Sequence, residues 1–197
     1  MKKLIVSVLL LAFVACACTP ERNKQNIEEV WNAGAILKVG SEQIDSSEGL
    51  VYLDAAARDY ELYYGSEIWD YKVDAEGGEI RDIIKDEVMG SIIRIKLVCS
   101  RANELNVYLS EEELKKVDEE TAEYMEKIAG SSVLQKGVNE NVVRRVYIDN
   151  RIARKVYEKV SENEAFEEAY ARWEETTEIK VNHSVWDELD TFASSGK

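Results

Sequence analysis

Apolar positions recur at helical spacing along most of this chain. Leu50, Leu53, Ala57, Tyr60 and Tyr64 follow one another at steps of three and four, which lays them on one helix face. That helix ends near Tyr64-Gly65 or carries on weakly to Trp69, and 72–78 reads as a loop. Ile80, Ile84, Val88, Ile92, Ile95, Val98, Ala102 and Leu105 make the stripe of a long helix over 79–105. Gly90 inside it calls for a kink or a close helix crossing, since glycine costs about 1 kcal/mol against alanine there. Residues 106–109 break the pattern. Ser110 and Glu113 have capping-box spacing at the head of a mostly polar helix running to Ala129, whose thin stripe is Leu114, Val117, Thr121, Tyr124 and Ile128. After a loop over 130–137, Asn139 caps a helix with Val142, Val146, Ile152 and Val156 inward. Ser161 and Glu164 cap the next, which carries Phe166, Tyr170 and Trp173.

Two segments depart from the helical period. Residues 35–39 are short and extended, Gly40-Ser41 is a turn signal, and 42–44 returns. Asp45 and Glu48 then have capping-box spacing, with Ser46 and Ser47 as other N-cap candidates. Residues 177–182 alternate as a strand, 184–189 give a last short helical turn, and 191–197 look frayed. A lone strand would leave its backbone groups unsatisfied, so these two distant segments should pair. The predicted fold is mainly α: a multi-helix domain over 34–190, with a small two- or three-stranded sheet joining its N- and C-terminal ends.

The first residues follow a different logic. Lys2 and Lys3 precede an apolar run over 4–15, shorter than the roughly 20 residues that span a bilayer and of signal-peptide length. The run ends Ala15-Cys16-Ala17-Cys18. Small residues directly before a cysteine resemble the bacterial lipobox, in which the thiol is alkylated with diacylglycerol and the preceding peptide is removed. Either Cys16 or Cys18 fits, and Cys16 is preferred. The resemblance implies a lipoprotein signal peptide over 1–15, a tether with a short helix over 16–33, and a mature protein held outside the cytoplasm by acyl chains.

The formal charge is −14, and loss of Lys2 and Lys3 would make the remainder more negative still. Such a chain repels nucleic acid and anionic head groups. Beyond the lipobox cysteines only Cys99 remains, which builds no disulfide framework and no metal site. One histidine, His183, leaves little scope for a histidine-based triad. Neither a phosphate loop nor a calcium loop is present, so no cofactor and no metal are expected. The acidic runs read as solvated helix surface, and Arg144, Arg145, Arg151, Arg154, Lys155 and Lys159 as their pairing partners.

Four stretches carry a family resemblance: 39–44 (Val-Gly-Ser-Glu-Gln-Ile), 63–69 (Tyr-Tyr-Gly-Ser-Glu-Ile-Trp), 102–113 with its break and recapped acidic helix, and 173–186 from Trp173 to Trp186. In order and spacing they resemble the N-terminal peptide-binding domain of the SurA and PrsA family of extracytoplasmic chaperones and foldases. PrsA-type foldases insert a parvulin prolyl-isomerase domain before the closing helix, and residues 156–161 leave no room for one. The resemblance therefore implies a membrane-anchored holder of unfolded or extended segments of exported proteins, without isomerase activity. The alternative is an assembly lipoprotein that docks one folded envelope partner. The aromatic residues of 52–71 are either a wide core contact with the long helix, with Trp69 and Tyr71 packing a loop, or a tyrosine-lined groove. In the second reading, Tyr63 and Trp69 line a client cleft between the first helix and the closing helix with Tyr170.

Overall fold

The structure is a computed structural model and describes residues 31–73 and 79–191. The signal peptide, both candidate lipidation cysteines, most of the tether and the tail beyond Thr191 lie outside the described residues. From Trp31 onward the chain forms one unit.

Strands β1 (Ala35–Val39) and β2 (Glu42–Asp45) form a hairpin around the two-residue turn Gly40-Ser41, where Gly40 holds φ +59°. The third strand, β3 (Ile179–Val181), pairs antiparallel with the other edge of β1, so β1 is central in the order β2-β1-β3. Leu37 lies opposite Val181 and Val39 opposite Ile179. The N- and C-terminal ends of the domain thus meet in one sheet, as the backbone argument required. Asn182 fastens the join: its backbone N–H donates to Ile36 O at 2.8 Å and its side chain to Ala35 O at 2.9 Å.

Helix α1 (Ser46–Tyr64) follows β2 directly. Asp45 caps it, accepting from the Glu48 backbone N–H at 3.2 Å. The other half of the expected capping box is absent, because the Glu48 side chain turns inward. A 3-10 turn (Ser66–Asp70) follows α1, and then comes α2 (Ile80–Cys99). This helix stops short of Leu105. Arg101 and Ala102 tighten into i→i−3 bonds to Val98 and Cys99, and Asn106 adopts φ +53°. The turn brings Ala102 and Val107 together into one apolar cluster with Val156, Val160 and Phe166, which a straight helix could not do.

Helix α3 (Glu111–Lys127) has the full Ser110–Glu113 capping box and buries Val117, Thr121 and Tyr124. Lys155 and the Ser110 backbone N–H hold the Glu113 carboxyl down at about 2. A single turn, α4 (Ser132–Gln135), occupies part of the expected loop. Helix α5 (Glu140–Ser161) is capped by Asn139, runs four residues beyond Tyr157 and absorbs Ser161, so that residue caps nothing. Helix α6 (Phe166–Thr176) begins after Ala165 without a side-chain cap, and Glu164 instead pairs with Arg172. Helix α7 (His183–Trp186) closes the chain over the sheet, and its Trp186 is buried in the main core. Among the described residues no helix is long and apolar enough to cross a membrane.

The basic stretch of α5 is matched residue by residue. Arg144 pairs with Asp118, Arg151 with Glu120 and Lys155 with Glu113, which sews α5 to α3.

Two helical glycines occupy opposite environments. A Cβ on Gly49 would sit 2.5 Å from Ile36 Cδ1 and 3.2 Å from the Trp186 ring, both fully buried. A Cβ on Gly90 would meet nothing within 4 Å, so neither a helix crossing nor a packed kink explains that residue. Gly90→Ala should therefore stabilise by about 0.5–1 kcal/mol through helix propensity alone. Gly49→Ala should destabilise by about 1–2 kcal/mol, because overpacking outweighs the same propensity gain. Urea midpoints moving in the same direction would contradict this account of the α1–sheet contact.

Candidate functional site

Two groups of charge lie in the interior: Asp54, held by Arg58 and the Tyr124 hydroxyl, and a larger cluster around Lys96. Lys96 on α2 is 2% exposed, yet its ammonium is surrounded by carboxylates. It pairs with Glu48 from the first turn of α1, with Asp149 Oδ2 on α5 at 2.5 Å, and with Glu42 Oε1 on β2 at 3.5 Å. Arg145 Nε approaches the other Glu48 oxygen at 3.7 Å. Burial opposes the charge of Lys96, but Asp149 and Glu48 outweigh it and hold the lysine above its ordinary range. Burial pushes the Glu48 carboxyl up, against the pull of Lys96. Beside them the Cys99 thiol donates to Asp149 O at 3.2 Å, and burial raises it to about 12, so it is chemically quiet. The centre of the cluster, Lys96 and Glu48, is buried while Glu42 and Arg145 reach the surface, which makes it a clamp among three helices and the hairpin.

The apolar interior does not extend to the end of α1. Ala57 is the last buried residue of that helix. Beyond it the stripe continues through Tyr60, half-buried against Trp69, to Tyr64, which is left exposed. Tyr64, expected to face inward, is 65% exposed; Leu62 and Tyr63 are each 78% exposed, and Tyr71 follows at 62%. By the helix period, Leu62, Asp59, Tyr63, Tyr60 and Tyr64 succeed one another around a broad arc of the surface. Asp59, Tyr60, Tyr63 and Tyr64 line a hollow of about 250 Å³. That is below the roughly 300–1,000 Å³ of small-molecule pockets and suits a single side chain.

Gly65 turns the chain at this point with φ +77°, and its N–H donates to Glu61 O at 2.9 Å. The 3-10 turn then drives Trp69 back beneath α1. Its ring lies 6.3 Å from that of Tyr60, and its indole N–H donates to Glu61 Oε1 at 2.6 Å. The Tyr60 hydroxyl donates to Glu87 on α2 at 3.2 Å.

The three residues expected to line one cleft are therefore placed in three different roles. Trp69 is buried in the core and supports Tyr60 from below. Tyr63 stands on the exposed arc. Tyr170 is half-buried on α6, which packs on α2 and α5, and the Arg94 guanidinium lies 4.7 Å over its ring. No cleft among the described residues joins them, because Trp69 is consumed by packing and Tyr170 is covered by an arginine of the chain itself. Sequence reasoning missed the buried cluster, and it missed that Leu62 and Tyr64 belong to the exposed surface. A second tyrosine-lined hollow, between α1, α3 and α5, has its Tyr52 and Tyr124 hydroxyls already bonded to Asn150 and Asp54. Among the described residues, no group of histidine, cysteine or acidic side chains is arranged to hold a metal ion. His183 is exposed, 3.5 Å from Asp187.

Comparisons with protein-family models, with curated proteins and with solved structures give no match to this chain.

The clamp gives a direct expectation. Lys96→Met leaves Glu48 and Asp149 buried without their cation and should cost about 3–5 kcal/mol. Adding Glu48→Gln to that variant should recover part of the loss, since one uncompensated charge is then removed. Urea unfolding followed by circular dichroism reads both, and a loss below about 1 kcal/mol for Lys96→Met would show that the cluster is not the clamp described.

Proposed function

We propose that this chain is a lipid-anchored, extracytoplasmic protein that holds unfolded or extended segments of exported proteins. The observation that carries the reading is the exposed aromatic arc at the end of α1, where Leu62, Tyr63 and Tyr64 lie uncovered. Exposed apolar residues grouped in this way mark an interaction surface more often than scattered ones do. Tyrosine suits sequence-tolerant holding. It offers a large rigid contact with few rotors to freeze, and its hydroxyl reaches the carbonyls of an extended chain.

Three further features support the reading. The Ala15-Cys16-Ala17-Cys18 junction after an apolar run supports the anchor. The order of hairpin, helices and closing strand agrees with the resemblance to the SurA and PrsA N-terminal domain. Residues 162–165 alone join α5 to α6, which favours a holding module with no inserted catalytic domain.

Two measurements test it. Mass spectrometry of the protein extracted from native membranes should find a diacylated cysteine at position 16 or 18, and Cys16→Ala should release the protein if that is the modified residue. An unmodified N-terminus downstream of Cys18 would remove the anchor from the reading. For the holding activity, the protein should suppress aggregation of an unfolded model polypeptide. The pair Tyr63→Ser and Tyr64→Ser should weaken binding by about tenfold with the thermal melt unchanged. No suppression by the wild type, together with one stoichiometric partner on purification from membranes, would replace client holding with docking of a folded partner.

A further inference from the structure

Among the described residues, the aromatic group on α6 and the one at the end of α1 differ in one respect. On α6 the rings are already faced by the chain's own cations. The Arg94 guanidinium lies 5.2 Å over Phe166 and 4.7 Å over Tyr170, and it pairs with Glu167 at 2.5 Å. Arg101 lies 6.0 Å over Trp173. An arginine placed over a ring and backed by a carboxylate is thus how the aromatics of α6 are covered.

The arc at the end of α1 has the rings and the carboxylates but not the cation. From Asp59 to Tyr71 the sequence carries Asp59, Glu61, Glu67 and Asp70 and no lysine or arginine. Glu87 stands beside Tyr60. Basic side chains adjoining this stretch in sequence or contact are engaged elsewhere: Arg58 with Asp54, and Lys72 and Arg81 with Glu79. Among the described residues no cation lies over Tyr60, Tyr63 or Tyr64. The hollow between these rings has one acidic wall, Asp59.

We infer that the Asp59–Tyr60–Tyr63–Tyr64 hollow receives an arginine or lysine side chain from an extended polypeptide, so that the segments held here are cationic as well as apolar. The inference rests on the client-holding reading and deepens it. Arginine fits better than lysine, because its planar guanidinium stacks on a ring while its edge still donates to a carboxylate. Asp59 in the hollow and Glu87 beside Tyr60 also repel acidic segments, which selects among otherwise similar apolar clients.

Fluorescence anisotropy on the full chain tests this with three labelled extended peptides of equal length and equal apolar content, carrying arginine, glutamine or glutamate at the same positions. The arginine peptide should bind about 3–10-fold more tightly than the glutamine peptide, and the glutamate peptide more weakly than either. Raising salt should narrow the differences. Asp59→Asn should reduce the arginine preference while leaving glutamine-peptide binding within about twofold. Tyr63→Leu should reduce it too, as it keeps apolar contact but removes the electron-rich ring face. Both side chains are exposed, and an unchanged thermal melt confirms folding. Equal binding of all three peptides, lost in Tyr63→Ser, would overturn the cation site and leave client holding intact. Failure of every peptide would overturn both. Folded cytochrome c binding as tightly as the arginine peptide would overturn the extended-segment assignment and give the surface to a folded basic partner.

Discussion

The fold depends on a single buried cation. Lys96 reaches from α2 to the first turn of α1 through Glu48, to the middle of α5 through Asp149, and toward the hairpin through Glu42. Hydrophobic contact is non-directional and would tolerate sliding of one helix along another. A buried ammonium between carboxylates does not, since any slip strands a charge in a medium that cannot solvate it. Asp45 caps α1 at the end of β2, so fixing Glu48 also fixes where the helix leaves the sheet. The hairpin, the α1 axis and the position of the aromatic arc at the far end of α1 all follow from that one register.

Much of this architecture is legible from periodicity. The closing pairing of β3 on β1, the capping box of α3 and the matching of α5 cations to α3 acids all obey rules of local spacing or backbone satisfaction. What escaped has physical reasons. The end of α2 is set by Val107 folding back onto α5 and α6, a tertiary demand that no local signal carries. Glu48 had the spacing of a capping residue, and only the position of Lys96 in space redirected it. The clamp nevertheless left a trace. Ile84, Val88, Ile92 and Lys96 follow at steps of four, and Val142, Val146 and Asp149 at four and three. A charge at a stripe position on one helix and the opposite charge at a stripe position on another is the pattern of a buried pair.

The candidate surface was legible in composition but not in position. The richness in aromatics between Tyr52 and Tyr71 is plain, and it divides into a core contact and an exposed arc. The division is made by length. Helix α1 outlasts the core that covers it, so an apolar stripe that begins as packing ends as surface. Extending a helical period cannot reveal where its covering elements stop. Trp69, a candidate for the client cleft, is instead drawn into the core by the turn at Gly65.

The weight of a functional reading falls on residues whose presence folding does not explain. Tyr60 is accounted for by its contact with Trp69 and its bond to Glu87, and Glu61 by the indole it receives. Tyr170 is accounted for by Arg94. Leu62 and Tyr63 are exposed on a charged, well-solvated helix where serine or lysine would serve folding equally well. Tyr64 touches Tyr60 only at a ring separation of 6.0 Å, an interaction worth about 1 kcal/mol at most for so exposed a ring. Exposed apolar groups also carry a liability, because they promote self-association. A chain that retains them, with Asp59 and Glu87 beside the rings and no cation over those rings among the described residues, is arranged to receive the missing cation from another polypeptide.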